Sequence, residues 1–218
     1  YASGSGLRLL SMADPANPVD LGVFDLPGTE LHAFAKDGCV HVSANNPNRI
    51  YVIDVSDPQA PTILDSVPVE QTTAIGEPVD GMLPYAYRIG ANTLVGLLDV
   101  SDPANVGNLG ANIAPTVATP QSTTLVGNTL VLANAGDTIY LFDVTDPISV
   151  TPIGSIPHPA DSEPGFQFRS SGLFAYGNDS DGQFHVLNLG DPLAPVVTSV
   201  ATGIDDDEMI AFDGGVFA

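Results

Sequence analysis

The sequence predicts an all-β repeat fold, and three observations carry that prediction. A strand-and-turn phrase recurs five times, as LRLLSMADPANP, IYVIDVSDPQAP, LVGLLDVSDPAN, IYLFDVTDPISV and FHVLNLGDPLAP. Its acidic turn residues fall at Asp14, Asp57, Asp102, Asp146 and Asp191, a period of 43 to 45 residues that marks a repeat architecture. Between them, short apolar, aromatic and β-branched runs are punctuated by Gly, Pro, Asn and Asp, and no run of helical period is long enough to compete.

The second copy shows the elements in order. LHAFAK reads as a first strand and ends at Asp37-Gly38, two residues that tolerate the positive φ of a tight type I′ hairpin. CVHVSA runs back, NNPNR turns, and IYVIDV follows as the third strand. SDPQAP turns again, and TILDSV leaves outward as the fourth. In the Asp-Pro turn the Asp side chain bonds backbone N–H groups two residues on and proline presets φ. The earlier acid, Asp54, Asp99 or Asp143, is replaced by Asn188 and Ser11 in the other copies, all able to cap the same turn. Recurrence at a hairpin assigns these acids to structure rather than to catalysis.

Four antiparallel strands per copy, with one longer connection to the next, is the pattern of a β-propeller blade. Copies of this size bury their faces only by stacking on one another around an axis. The C-terminal FDGGVFA followed by the N-terminal YASGSGLRLLSMADP aligns with AKDGCVHVSANNPNRIYVIDVSDP. The expectation is therefore a single domain over residues 1–218, a β-propeller of five four-stranded blades with one blade shared by the two chain ends. The alternative is a piece of a longer array, whose unfinished strand edge would invite pairing with another chain.

The phrases IYVIDVSDPQAP and IYLFDVTDPISV resemble those of the LVIVD-repeat proteins, and the resemblance covers all five copies. It implies a β-propeller and an extracellular or cell-surface location. It implies no catalytic residues, since that group has no common catalytic set to carry over. The copies at Leu7 and Phe184 depart from the acid in the strand.

Charge narrows the partners. The 218 residues carry 26 acids, 21 of them Asp, against 5 basic residues, for a formal charge of -21. Such a surface repels phosphate backbones and anionic headgroups, which excludes nucleic acid as a partner class and favours cations and basic protein surfaces. With Lys36 the only lysine, it also suits salty water, where salt screens the repulsion. No run approaches the roughly 18 apolar residues of a membrane span, so membrane insertion is not expected. Cys39 is the only cysteine, which excludes an internal disulfide and a cysteine-based zinc cage.

Strand direction sorts the loops. The Asp-Gly and Asp-Pro turns share one face, and the loops between blades and between second and third strands share the other. That loop face gathers Glu30, Glu70, Asp161, Glu163 and the run Asp205, Asp206, Asp207 and Glu208 around the channel mouth. Alignment on the Asp-Gly turns places His32, Gln121, Phe166 and Glu208 near the start of the innermost strand, where side chains line the channel. Asp179 and Asp181 in NDSDG have the alternate-oxygen spacing of a Ca²⁺ loop. The match lacks the later bidentate Glu, so the hairpin reads first as a polar turn and second as a Ca²⁺ site. Nucleophile-elbow, P-loop and dinucleotide-binding patterns are absent from the sequence.

Three functions follow. The first is a non-enzymatic interaction or structural module, secreted or on a cell surface, whose acidic loop face engages a protein partner or divalent cations. The second is a hydrolase or lyase with paired acids at the channel mouth, which rests on fold analogy alone. The third is a subunit that self-assembles through strand edges.

Overall fold

The computed structural model describes residues 6–11, 13–14, 16–90, 92–110, 120–134, 138–157, 169–178, 183–201, 212–213 and 216–217. They form strands joined by turns, with no helix among them. Strands β3 (Thr29–Lys36), β4 (Cys39–Asn45), β5 (Arg49–Asp54) and β6 (Thr62–Pro68) make blade 1, an antiparallel sheet in chain order. Blade 2 is β7 (Gln71–Ile75), β8 (Met82–Ile89), β9 (Asn92–Asp99) and β10 (Gly107–Asn108). Blade 3 is β11 (Pro120–Val126), β12 (Thr129–Asn134), β13 (Thr138–Asp143) and β14 (Thr151–Pro157). Blade 4 is β15 (Arg169–Ser171), β16 (Phe174–Asn178), β17 (Gln183–Asn188) and β18 (Val196–Ala201). Together they build a four-bladed β-propeller.

The remaining strands form two separate two-stranded sheets, β1 (Gly6–Ser11) with β2 (Val19–Asp25) and β19 (Phe212–Asp213) with β20 (Val216–Phe217). The expected fifth blade, shared by the chain ends, is therefore not formed. A blade is defined by its hydrogen-bond ladder, and among the described residues β20 pairs only with β19 while β1 pairs only with β2. A strand of two residues supplies little ladder with which to join another sheet.

The turns follow the sequence reading closely. Asp57, Asp102, Asp146 and Asp191 each accept the N–H two residues on at 3.0–3.1 Å, as does Asp14. Each also closes the turn through its own carbonyl at 3.0 Å. One step earlier, Asp54, Asp99, Asp143 and Asn188 accept the N–H of residues 56, 101, 145 and 190 at 2.8–3.0 Å, and Ser11 accepts that of Ala13 at 3.4 Å. Ser or Thr side chains and these N–H groups hold the carboxyls of Asp54, Asp99 and Asp143 below the usual carboxylate range. Asp37 and Gly38 have φ of 49° and 78°, the two positive values that a type I′ hairpin requires.

Alternation along each strand sends one set of side chains to the preceding sheet and the other to the following one. Val40, Val42 and Ala44 of β4 pack with Leu7, Leu26, Tyr51 and Ile53 against the N-terminal pair. Ile50 joins Leu83, Tyr85, Tyr87 and Leu98 between blades 1 and 2. Leu97, Leu125, Leu130, Leu132 and Phe142 fill the seam between blades 2 and 3, and Val131, Ile139, Leu141, Ala175 and Leu187 that between blades 3 and 4. The molecule has a chain of inter-blade seams instead of one central core, as a stacked repeat must.

Candidate functional site

The first strands of three blades bring polar side chains together. His32 in β3 lies with Nε2 3.2 Å from the Thr73 carbonyl of β7. Lys36, at the end of β3, donates to Glu77 Oε1 at 3.0 Å. Arg169 in β15 sets its guanidinium 4.2 Å from the ring centroid of Phe34 in β3, so the last blade reaches back to the first. Burial lowers the pKa of Arg169, opposed by Glu77 and Tyr176. Burial, then the Arg169 charge, lowers that of His32, opposed by the contact with Thr73. This cluster joins blades 1, 2 and 4, and its chemistry is that of a polar clasp.

Two clefts open at the junction of blades 1 and 2. On the loop face a cleft of about 410 Å³ is lined by Glu70, Tyr85, Tyr87, Ile89 and Asn108. The two tyrosine rings stack with centroids 5.3 Å apart. Burial, then Tyr87, pushes the Tyr85 phenol up to about 12, against a lowering hydrogen bond with Asn108. On the turn face a cleft of about 610 Å³ is lined by Lys36, Asp37, Cys39, His41, Asp80 and Ser101, with Val79 and Val100 as its apolar wall. Blade 2 shapes this cleft through an enlarged first hairpin, in which Val79 and Met82 pair outside the main strands around Asp80-Gly81.

Of the residues singled out in the sequence, His32 lies in β3 against the Thr73 carbonyl of β7. Gln121 sits in β11 at a bulge, skipped between the pairs Pro120 with Asn134 and Ser122 with Ala133. The matching pairs place Ser122, not Gln121, opposite the role of His32: His32 pairs with Ser43, and the ladders close at Lys36 with Cys39 and at Val126 with Thr129. The turn of blade 3 is Gly127-Asn128, one residue later than an alignment on Asp-Gly implies. Glu163, Asp179, Asp181, Asp205, Asp206, Asp207 and Glu208 lie outside the described residues. Glu70 is the acid of the expected loop face that the described residues place in a cleft. Among the described residues no group of three His, Cys, Asp or Glu side chains could hold a metal ion.

Sequence reading missed Arg169, Glu77 and His41. Arg169 carries no local signal, because its ring partner comes from a distant repeat. His41 sat in an ordinary strand pattern, and only its departure from the apolar alternation marked it.

No family model matches the chain, and no curated protein does. Solved structures do. A chain of the complex of KlAtg21 with the coiled-coil of AgAtg16 is similar at a TM-score of 0.63 and 11% identity, over 86% of this chain and 60% of that one. A chain of the nidogen/laminin complex is similar at 0.60 and 17%, over 89% and 71%. The computationally designed Ika4 protein is similar at 0.51 and 15%, over 76% and 94%. The chain thus spans less than two thirds of the KlAtg21-complex chain. At these identities the likeness shows the β-propeller fold and nothing finer.

Proposed function

We propose that the chain is a non-enzymatic interaction module that engages a protein segment carrying apolar anchors flanked by Lys or Arg. The observation that carries this is on the turn face of blades 3 and 4. Ile148 and Leu193, 75% and 80% exposed, sit there in turns capped by Asp146 and Asp191, and Leu173, 57% exposed, sits in the Gly172-Leu173 hairpin turn. Large apolar side chains held out on turns, two of them beside a capping carboxylate, match a basic, amphipathic partner in both chemistry and charge. The acids that would otherwise invite a catalytic reading are bound to backbone N–H groups and have a structural task.

Two of the structurally similar chains come from complexes with protein partners, which is in keeping with this use of the fold. Secretion or surface display belongs to the same reading. It rests on the LVIVD-like repeat and on a charge of -21 that salt outside the cell would screen. The loop-face cleft at Glu70 is a second place where such a partner would meet an acid beside aromatic side chains.

The test is selection of displayed peptides on the protein, followed by affinity measurement with the triple variant Ile148→Ser, Leu173→Ser, Leu193→Ser. Selected peptides should be enriched in Lys or Arg beside large apolar residues, weaken as salt rises, and lose about tenfold or more on the variant. Peptides without basic residues, or equal affinity for the variant, overturn the reading.

A further inference from the structure

Blade 1 differs from its neighbours at two positions that face blade 2. The first residue of each second strand is Cys39, Met82, Thr129 and Phe174 in blades 1 to 4, and the residue two later is His41, Pro84, Val131 and Tyr176. The blade itself therefore requires neither a thiol nor an imidazole there. Residues two apart in a strand project to the same side. Val40, Val42 and Ala44 face the N-terminal pair, so Cys39 and His41 face blade 2, and both line the turn-face cleft.

His41 is only 4% exposed, and neither ring nitrogen has a hydrogen-bond partner. The Phe34 carbonyl lies on the side that favours a proton, but the contact falls outside hydrogen-bond geometry, and burial dominates, lowering the pKa to about 4. The imidazole is thus neutral across the physiological range with a lone pair on one nitrogen. A buried polar ring left unpaired costs stability unless something in the cleft completes it.

We propose that this cleft binds one soft monovalent d¹⁰ cation of the Cu(I) class through Cys39 Sγ and one ring nitrogen of His41. Thiolate is a soft donor and imidazole a borderline one that suits copper. Zinc and calcium want more ligands, and among the described residues no third His, Cys, Asp or Glu completes a group with them. Two donors suit a cation that accepts two-coordination. Asp37 and Asp80 at the rim draw cations toward the cleft. Burial, then the neighbouring Asp54 and Asp37, push the pKa of the Cys39 thiol up. As the ion binds, the S–H proton leaves to solvent, an S–metal bond forms, and the metal keeps its oxidation state.

Ag(I), which needs no reductant, is the probe. Titration into the whole chain labelled at histidine nitrogens should saturate at one ion per chain and move the ring resonances of His41 while leaving those of His32 and His185. Cys39→Ser and His41→Val should each weaken Ag(I) by about tenfold or more. The second variant uses the side chain that blade 3 carries at Val131, which guards its folding. Ag(I) bound equally by His41→Val, an unmoved His41 ring in the wild-type chain, or unchanged binding in Cys39→Ser overturns the proposal. Should either variant fail to fold, the ring resonances of the wild-type chain decide.

Discussion

The seam between blades 2 and 3 and the seam between blades 1 and 2 are made by the same strand grammar, yet they differ in chemistry. The first is filled mainly by aliphatic side chains from both sheets together with Phe142, and among the described residues the buried Thr123 pairs with Leu132 of that cluster. The second mixes an apolar cluster with the buried polar groups His41 and Ser43, and clefts open at both of its ends. The repeat dictates where strands and turns lie; it does not dictate what fills a seam. Both seams bury apolar side chains, and the distinctive chemistry lies in the one between blades 1 and 2.

Leu97 and Leu98 allow that difference to be measured on a single strand. They are adjacent on β9, both fully buried, and point into opposite seams. Leu97→Ala and Leu98→Ala should each cost about 2–5 kcal/mol in equilibrium urea unfolding, with Leu97 toward the upper end. A seam that already borders clefts can relax around a deletion, whereas the closed one keeps the cavity. Equal costs would mean that the two seams pack alike.

His41 makes the same contrast a function of pH. Its folded-state pKa of about 4 lies below the ordinary 6.5, so between those values the unfolded chain binds a proton that the folded chain refuses. Stability from this group is fully present above pH 6.5 and is lost as pH falls toward 4, by roughly 3 kcal/mol. Acid titration of the capping carboxylates is common to wild type and His41→Val. The difference between their unfolding free energies, measured at pH 7 and near pH 4, isolates the histidine. His41→Val should be the less acid-sensitive protein.

What the sequence reveals and what it hides follow from range. The Asp57 and Asp54 turns are legible because donor and acceptor lie two residues apart, and the same local chemistry recurs in every copy. His32 and Gln121 were placed one residue out of step because a bulge and a shifted turn in blade 3 do not show in residue types. The clasp of Arg169 on Phe34 was invisible, since it joins distant repeats through no shared pattern. The shared fifth blade failed for the same reason. Sequence similarity at the chain ends speaks to strand type, whereas union of two sheets needs a ladder that β20 does not extend to β1.

A smaller effect tests whether the turns are as uniform as they look. Asp99 accepts both the N–H and the hydroxyl of Ser101, at 3.0 and 2.6 Å, where blade 2 meets the turn-face cleft. Asp99→Ala should cost about 1 kcal/mol in urea unfolding and Asp99→Asn less, because the amide oxygen still accepts the N–H. A loss from Asn as large as that from Ala would show that charge, not the acceptor, holds the turn.

The Lys36–Glu77 pair should give the smallest effect, and its asymmetry is informative. The side chains are 43% and 24% exposed, so the pair itself contributes below about 1 kcal/mol. Yet Lys36 also faces Asp37 and Asp80, and all three acids raise its pKa, Glu77 most. Lys36→Met leaves Glu77, Asp37 and Asp80 without the cation they share, whereas Glu77→Gln removes one of them. The lysine variant should therefore lose more stability than the glutamate variant, and it should recover more as salt is added, because screening acts on the repulsion that remains. Equal losses with equal salt responses would reduce Lys36 to one partner in an isolated bridge. Unequal ones identify it as the cation that keeps the acidic rims of blades 1 and 2 together.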